Sequence, residues 1–455
     1  MSASPSAALS TALSPNPTPD RHVYDAVGIG VGPFNLGLAA LADPIPDLDL
    51  LFVDQRPAFN WHPGMMLDSA HLQVPFMADL VTLADPTSPY SFLNYLKATG
   101  RLYRFYIREN FYPLRAEFNA YCQWVADALP NVHFGERVTA VEHDDGVYAV
   151  YTDGGGGPRV HYGRRLVLGT GTQPYIPPAA RAVTGAGGLV LHNADYLARK
   201  AELQSRSSIT VLGSGQSAAE IYYDLLQDLP EKDYELNWVT RSGRFFPLEY
   251  TKLTLEMTSP EYVDYFHALP EATRDRLIAT QKNLYKGIDS ELINDIYDTL
   301  YAQSLSGEPR TRLLTHLELR GAQYHPETGR HTLELHHDEQ DQAFTLETDA
   351  VVLGTGYTYR EPEFLAGIAG RIRRDSAGRF EVDRNYGIGT GPGEIFVQNA
   401  ELHTHGFVSP DLGMAAYRNS VIIREMLGRE HYSVERSIAF QEFGVPVPDG
   451  GMAAV

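Results

Sequence analysis

Three glycines at two-residue spacing form a candidate phosphate-binding turn near the start of the chain. The segment Gly28-Ile29-Gly30-Val31-Gly32-Pro33 follows a short apolar run and leads into a helix of small residues. Glycines let the backbone approach a pyrophosphate, and the N–H groups at the start of the helix face that charge. Asp54 ends the next apolar run, where a carboxylate can accept hydrogen bonds from an adenosine ribose. The pattern predicts FAD binding; the alternative is that Asp54 is a plain turn residue.

A second turn of the same kind follows the apolar residues 208–212. It contains Gly213, Gly215, Gln216 and Ser217. The next predicted strand, 235–240, ends in Arg241 with Arg244 close by, and it carries no acid at that point. A carboxylate would repel a 2′-phosphate, whereas a guanidinium can bind it through two hydrogen bonds. We therefore expect NADPH rather than NADH, unless both arginines are merely solvated surface charges.

Each glycine turn is matched by a Gly-Thr-Gly segment later in the chain, which follows an apolar run. The segments Gly169-Thr170-Gly171 and Gly354-Thr355-Gly356 lie equally far along the chain from Gly28 and Gly213, respectively. Four elements in matching order indicate two related halves, the second inserted into the first.

These elements predict an α/β fold with two Rossmann-like dinucleotide-binding domains and a small helical substrate region. The helical region is expected because apolar residues recur at helical spacing in 289–305. The expected organisation is a tail at 1–22, an FAD domain at 23–200 and 351–445, an NADPH domain at 201–350 that includes the helical region at about 255–305, and a second tail at 446–455.

Composition excludes several classes of function. The chain has 37 basic and 57 acidic residues, a net charge of −20, which disfavours nucleic acid as a partner. The single Cys122 rules out an internal disulfide, a two-cysteine redox motif and a cysteine-based zinc site, and the histidines form no metal-binding motif. No apolar run is long enough to cross a membrane, and the first residues do not resemble a secretion signal, so we expect a cytoplasmic protein without a metal.

Two dinucleotide sites in one chain imply electron transfer from NADPH to a flavin. Disulfide reductases need a cysteine pair and are excluded. Monooxygenases and electron-transfer reductases remain, although the F-x-G-x-x-x-H-x-x-x-W pattern of Baeyer–Villiger and dimethylaniline-type monooxygenases is missing.

Over roughly residues 22 to 440 the chain resembles the microbial N-hydroxylating monooxygenases that act on ornithine, lysine or diamines for hydroxamate siderophores. The resemblance rests on several motifs in combination. They are the two glycine turns, Phe59-Asn60-Trp61-His62-Pro63-Gly64-Met65, Leu72-Gln73, Asp79-Leu80-Val81, Pro86-Thr87-Ser88-Pro89-Tyr90, the stretch from Gly213 to Glu220, and Asp349 to Tyr357, in which Gly354 replaces the family's alanine.

The resemblance implies that NADPH reduces FAD, that oxygen adds to give a C4a-hydroperoxyflavin, and that its distal oxygen is transferred to a primary amine. It implies catalytic roles for Gln73 and His62 and commonly a homo-oligomer, a tetramer or dimer. It also implies further cofactor contacts at Trp61, His62, Met65, Gln73, Thr355, Gly356, Tyr357 and Leu412. The alternative interpretation is that Trp61 and Met65 are core residues and that His62 is a satisfied loop histidine.

Two departures from the family bear on the substrate. Amino-acid hydroxylases of the family carry a lysine that pairs with the substrate α-carboxylate, and here that position is Ala78. The family's asparagine for the amino-acid backbone falls on Leu284. Because a carboxylate would then stay unpaired, we expect a diamine, cadaverine or else putrescine. Lysine or ornithine hydroxylation and, from another class, a flavin electron-transfer reductase remain as alternatives.

A diamine also needs a partner for its remote ammonium group. The sequence offers the carboxylates of Glu249, Glu256 and Asp289, with Tyr250 or Tyr285 as an aromatic face. Asp289 precedes a predicted helix and could equally be its N-cap. Sequence spacing does not choose among them.

Overall fold

The computed structural model describes residues 21–446, so the expected tails fall almost wholly outside this range. In chain order the strands are β1 Val23–Tyr24, β2 Ala26–Ile29, β3 Leu50–Asp54, β4 Val132–Phe134, β5 Glu136–Asp144, β6 Val147–Gly154, β7 Arg159–Gly163, β8 Leu166–Leu168, β9 Gln173–Pro174, β10 Leu189–His192, β11 Ser208–Leu212, β12 Glu235–Val239, β13 Thr311–Leu314, β14 Leu317–His325, β15 Arg330–His337, β16 Gln342–Thr348, β17 Ala350–Leu353, β18 Tyr357–Thr358 and β19 Ile395–Val397. The helices are α1 Pro33–Ala42, α2 Phe92–Ala98, α3 Leu102–Arg108, α4 Arg115–Ala128, α5 Tyr196–Leu203, α6 Gln216–Asp228, α7 Lys252–Leu255, α8 Pro260–Ala268, α9 Glu271–Thr280, α10 Ser290–Ser304, α11 Leu402–His405 and α12 Ala415–Leu427. Among the helices of this range, none is long and apolar enough to span a membrane.

The first glycine turn belongs to a five-stranded parallel sheet with the order β19-β8-β2-β3-β4. Every residue of β2 and β3 is buried, as expected for parallel strands that are covered on both faces. Gly28 pairs with Phe52 on the neighbouring strand, and a β-carbon at Gly28 would overlap the Phe52 ring. This glycine therefore serves strand packing as well as the turn that follows.

The second turn belongs to another five-stranded parallel sheet, in the order β10-β17-β11-β12-β13. The α/β class with two Rossmann-like sheets is confirmed. The two sheets repeat one detail: Gly30 and Gly213 both have positive φ, and a β-carbon on either would collide with a carbonyl of its own Gly-Thr-Gly segment, at Gly169 and Gly354. In each half, the glycine turn and the later Gly-Thr-Gly segment are thus in contact with each other.

The second sheet extends beyond the expected bounds 201–350. Strand β10 enters it earlier in the chain, and β17 completes it by pairing in parallel with both β10 and β11. The physical reason is that the first strand of a Rossmann sheet pairs with strands from distant segments of the chain. Local composition does not mark those neighbours as belonging together.

Two crossings connect the sheets, one after β8 and one after β17. They run side by side as the antiparallel pair β9 and β18, in which Pro174 pairs with Tyr357. Smaller antiparallel sheets, β1-β7-β6-β5 and β14-β15-β16, complete the two halves. Between β12 and β13, helices α7 to α10 form the expected helical region, where Tyr262 packs on Phe407 from the C-terminal segment with ring centroids 5.3 Å apart.

Candidate functional site

The start of α1 is an open cradle of backbone donors. Its N-cap is Gly32, and a β-carbon built there would meet no atom within 4 Å. Below the turn, Asn35 donates to the Gly30 carbonyl at 2.7 Å and accepts from Gln398 at 2.7 Å, which fixes the loop from beneath. Unpaired N–H groups at a helix start with free space in front of them fit the pyrophosphate of a dinucleotide.

Asp54 is held more tightly than the sequence suggested. Its two oxygens accept from the Val31 amide at 2.7 Å and from the Arg56 amide, Nε and Nη2 at 2.8, 2.9 and 2.7 Å. Four donors use about all the lone pairs that a carboxylate offers. Asp54 therefore stabilises the glycine turn. Its contact with a ribose stays a prediction, because one Arg56 hydrogen bond to Asp54 would have to break before a ribose hydroxyl could take its place.

The start of α6 repeats this cradle in the second half. Gly215 is the N-cap, and the space beside its α-carbon is empty to 4 Å. At the end of β12, Arg241 is exposed, and Arg244 lies over the Phe246 ring at 4.5 Å. Lys286 is also close: burial, with the charges of Lys282 and Arg241, lowers the pKa of its ammonium. This gathering of cations fits a phosphate beside the cradle.

The loop with the predicted flavin contacts lies between the two halves. His62 sits in the left-handed region with φ of 50°, and its ring meets Tyr357 edge-on with centroids 5.6 Å apart. The Trp61 amide donates to Asn119 at 2.8 Å, and its indole packs on Phe118. Met65 is buried in the core of the second half. The structure thus brings His62 to Tyr357, whereas Trp61 and Met65 make the core contacts of the alternative interpretation.

The second Gly-Thr-Gly segment is fixed against the first crossing. Thr355 donates from Oγ1 to the Tyr175 carbonyl at 2.6 Å, and the Gly356 carbonyl lies 2.9 Å from Nε2 of His192. The Tyr357 hydroxyl accepts from Asn193 at 3.1 Å. Thr355, Gly356 and Tyr357 therefore form one rigid wall that faces His62.

A hydrogen-bond network joins the halves beside this wall. Gln73 donates to Gln216 Oε1 at 3.1 Å, and Gln216 donates to Glu220 Oε1 at 3.0 Å. Glu220 forms a bidentate ion pair with Arg115, with N···O distances of 2.7 and 3.0 Å, and Arg115 also donates to the Met65 carbonyl at 2.7 Å. Gln73 and Gln216 are thereby held at the junction of the two dinucleotide cradles.

Sequence reasoning missed Arg115 and Glu220. Arg115 begins α4, whose pattern is that of a packed helix, and Glu220 lies inside the second glycine motif. The sequence signal for this pair was weak. Glu220 lies on the buried face of α6 and so needs a cation partner, but Arg115 is far away in the chain and no local pattern connects the two.

The imidazole of His62 should stay neutral across the physiological range. Although part of the residue is exposed, desolvation of the ring by the surrounding groups, with the positive charges of Arg115 and Arg56, lowers its pKa to about 4. A base whose folded pKa lies below its unfolded value supports the native state fully above about pH 6.5, and that support is lost as the pH falls towards 4.

We therefore expect the melting temperature of the native protein to fall more between pH 6.5 and pH 4.5 than that of a His62→Gln variant. Labelled-histidine NMR should show no titration of His62 between pH 5.5 and 9. A His62 signal that titrates at its ordinary value near 6.5 would contradict this assignment.

The three carboxylates proposed for the remote ammonium each accept hydrogen bonds from the protein through at least one oxygen. Glu249 accepts from the Asn283 side chain, and Glu256 accepts from the amides of Phe440 and Gln441, both at 3.0 Å. Asp289 caps α10 by accepting from the amides of Glu291 and Leu292, so its contacts are those of the N-cap alternative.

The two positions that departed from the family pattern lie in different surroundings. Leu284 packs in the cluster that contains Phe407 and Tyr262. Ala78 is buried and lies against Gly413, and Leu412 beside it packs on the core of the first half. The segment 411–413 rather than the helical region therefore faces Ala78.

Comparison with known proteins gives a consistent result. A model of the L-lysine 6-monooxygenase/L-ornithine 5-monooxygenase family matches residues 22–359. Similar proteins include a putrescine N-hydroxylase of Shewanella oneidensis, 54% identical over 93% of this chain and 85% of that protein, and an alcaligin biosynthesis enzyme of Bordetella pertussis, 48% identical over 94% and 93%. Among solved structures, the FAD-bound DfoA, a cadaverine monooxygenase of the desferrioxamine pathway from Erwinia amylovora, has a TM-score of 0.91 and 55% identity, covering 94% of this chain and 100% of that one.

Proposed function

Since the chain belongs to the L-lysine 6-monooxygenase/L-ornithine 5-monooxygenase family, we propose that this FAD- and NADPH-dependent monooxygenase N-hydroxylates a diamine, cadaverine or else putrescine. The observation that carries the proposal is the surroundings of Ala78. That buried methyl group lies beside Gly413, a place where an amino-acid substrate would need a cation for its own carboxylate. The relatives named above, which act on putrescine or cadaverine or belong to siderophore pathways, support the same substrate class and a role in hydroxamate siderophore assembly.

We propose that each of the two cradles binds one of the cofactors. Bound FAD, once reduced by NADPH, supplies the activation of dioxygen. In this proposal the α1 cradle holds FAD and the α6 cradle holds NADPH, with Arg241 contacting the 2′-phosphate. The side chains proposed to line the flavin are Trp61, His62, Met65, Gln73, Tyr357 and Leu412.

Gln73 and His62 have distinct proposed duties. Gln73 donates its amide N–H to Gln216. In residues 21–446 no donor reaches its Oε1, so this oxygen can accept from an N–H of a bound group. His62 is neutral, so it can donate from one ring nitrogen and accept at the other without adding charge. Both residues act by orienting polar atoms and excluding water.

The reacting amine must lose its proton before it can accept oxygen. An alkylammonium group has an ordinary pKa near ~10.4 and lacks a lone pair while protonated. A pocket bounded by apolar and aromatic groups favours the neutral form, because burial lowers the pKa of an ammonium.

A panel of amines tests the proposal. With FAD added and under air, NADPH should support hydroxylamine formation from cadaverine and putrescine with a kcat/KM at least about 100-fold above that for lysine or ornithine, because their carboxylate would stay unpaired. NADH run in parallel tests Arg241 and should be the poorer donor. Exclusive hydroxylation of lysine or ornithine would refute the diamine assignment. Reduction of an external acceptor without any hydroxylamine would point to a reductase.

We also propose a homo-oligomer. Helix α3 exposes Tyr103, Tyr106 and Ile107 at 76%, 69% and 73% of their surfaces. Apolar groups exposed together on one short helix favour contact with another protein surface. A cytoplasmic location stays a prediction.

A further inference from the structure

Asp411 is a carboxylate that the reaction as described above does not use. It lies in the segment between α11 and α12, where Oδ1 accepts from the Gly413 amide at 2.8 Å. Gly413 separates it from Ala78: a β-carbon built on Gly413 would lie 3.3 Å from Oδ1 of Asp411 and 4.0 Å from the Ala78 β-carbon. Gly413 thus lies between the Asp411 carboxylate and the buried Ala78.

The carboxylate has an oxygen to spare. In the part of the chain that the structure describes, no donor reaches Oδ2 of Asp411. Burial raises the pKa of Asp411, against the opposing effects of the Gly413 amide and the Arg418 charge. Arg418 forms an ion pair with the buried Glu401 at 2.9 Å and donates from Nη2 to the Ser409 carbonyl at 2.6 Å, while its Nε and Nη1 make no hydrogen bond with any described residue. A partly buried carboxylate with one oxygen free of donors from the described residues favours the arrival of a cation.

Two tyrosines lie within electrostatic reach of this carboxylate. Burial raises the pKa of the Tyr250 hydroxyl, and the charges of Asp411 and Tyr112 raise it further. They come from three separate parts of the chain: Tyr250 precedes α7, Tyr112 precedes α4, and Asp411 precedes α12. An ammonium between a carboxylate and aromatic rings gains both an ion pair and ring contacts.

We propose that Asp411 binds the remote ammonium group of the diamine and selects diamines against amino acids. This inference rests on the proposed function. The ammonium supplies the missing partner for Oδ2, while an α-carboxylate in the same place would be repelled by Asp411. Ala78 contributes by its small size, which leaves room beside Gly413.

An Asp411→Asn variant tests the inference without disturbing the loop. Asparagine is as good an N-cap as aspartate, so the bond from the Gly413 amide is kept. KM for cadaverine and putrescine should rise about 10- to 100-fold, which is the value of one charge-assisted hydrogen bond. KM for pentan-1-amine and butan-1-amine, which lack the second ammonium, should stay within about 3-fold of the wild-type value. FAD content and the melting temperature should match those of the wild-type protein, which shows that the variant is folded.

The matched control is Glu327→Gln, which removes an exposed negative charge from the turn between β14 and β15 and should leave both KM values unchanged. The second variant, Ala78→Lys, places an ammonium next to Asp411 and should also raise the diamine KM. In the double variant Ala78→Lys/Asp411→Asn, the lysine should raise the diamine KM by a smaller factor than it does alone, because the carboxylate that its ammonium would occupy is gone.

Equal KM changes for diamines and monoamines, or a diamine KM within 3-fold of wild type, would overturn the role of Asp411. A wild-type enzyme that hydroxylates no diamine would instead refute the proposed function.

Discussion

Replacement of Arg115 by alanine should lower the free energy of unfolding by about 3–5 kcal/mol. This is the cost of removing one member of a buried pair and leaving the other charge without a partner. Arg115 and Glu220 are 12% and 5% exposed, and their bidentate contact joins α4 of the first half to α6 of the second. Urea unfolding followed by tryptophan fluorescence measures the change.

The matched control is Arg429→Ala, which breaks an exposed pair with Asp47 and should cost less than about 1 kcal/mol. Equal losses from the two alanine variants would show that the Arg115 pair adds nothing beyond a surface contact.

The same variant should slow the reduction of bound FAD by NADPH by about 100-fold, since a small displacement of the reacting groups has a cost of that size. Reduction by dithionite, which does not depend on the α6 cradle, should be unaffected. Rapid-mixing absorbance measures both rates. Normal NADPH reduction in a folded Arg115→Ala protein would mean that the pair does not position the two cradles.

Gly213→Ala should reduce kcat/KM for NADPH by at least about 100-fold while the purified protein still binds FAD. Gly213 has a φ of 137°, and a β-carbon there would overlap the Gly354 carbonyl, so the turn before α6 must move. Gly30→Ala is the counterpart in the first half and should lose FAD instead, because its β-carbon meets Gly169. Flavin absorbance and steady-state kinetics distinguish the two losses.

Gly215→Ala separates the cradle from the fold. Its β-carbon would meet no protein atom, and its φ of −93° suits alanine, so thermal stability should be unchanged. Coenzyme affinity should nevertheless fall, because the new methyl group takes space in front of the helix start. Unchanged NADPH affinity in both Gly213→Ala and Gly215→Ala would refute the assignment of this cradle.

The sequence predicted most of what is local. The two glycine turns, the strands before them and the helices after them are each set by neighbouring residues, and the structure has them at β2–α1 and β11–α6. The repeated Gly-Thr-Gly segments also gave the relation of the two halves. Cys122 is buried in the structure, and burial raises the pKa of its thiol.

What depends on distant segments could not be predicted. The Arg115–Glu220 pair and the approach of Asp411 to Tyr250 join parts of the chain that no periodicity connects. Asp289, which the sequence also nominated for the substrate, accepts from two amides of the first turn of its own helix through Oδ1. Charge and residue type nominate candidates, but only the packing shows which carboxylates are still free.

The side-by-side strands β9 and β18 have a mechanical consequence. Both passages of the chain between the sheets lie in this ribbon, and Tyr175 ties it to Gly356 through a backbone hydrogen bond of 2.9 Å. Paired strands resist sliding past each other but bend readily across their width. Any swing of one nucleotide half against the other must therefore take both passages along as a single hinge, and a substitution in either strand alters the motion of both.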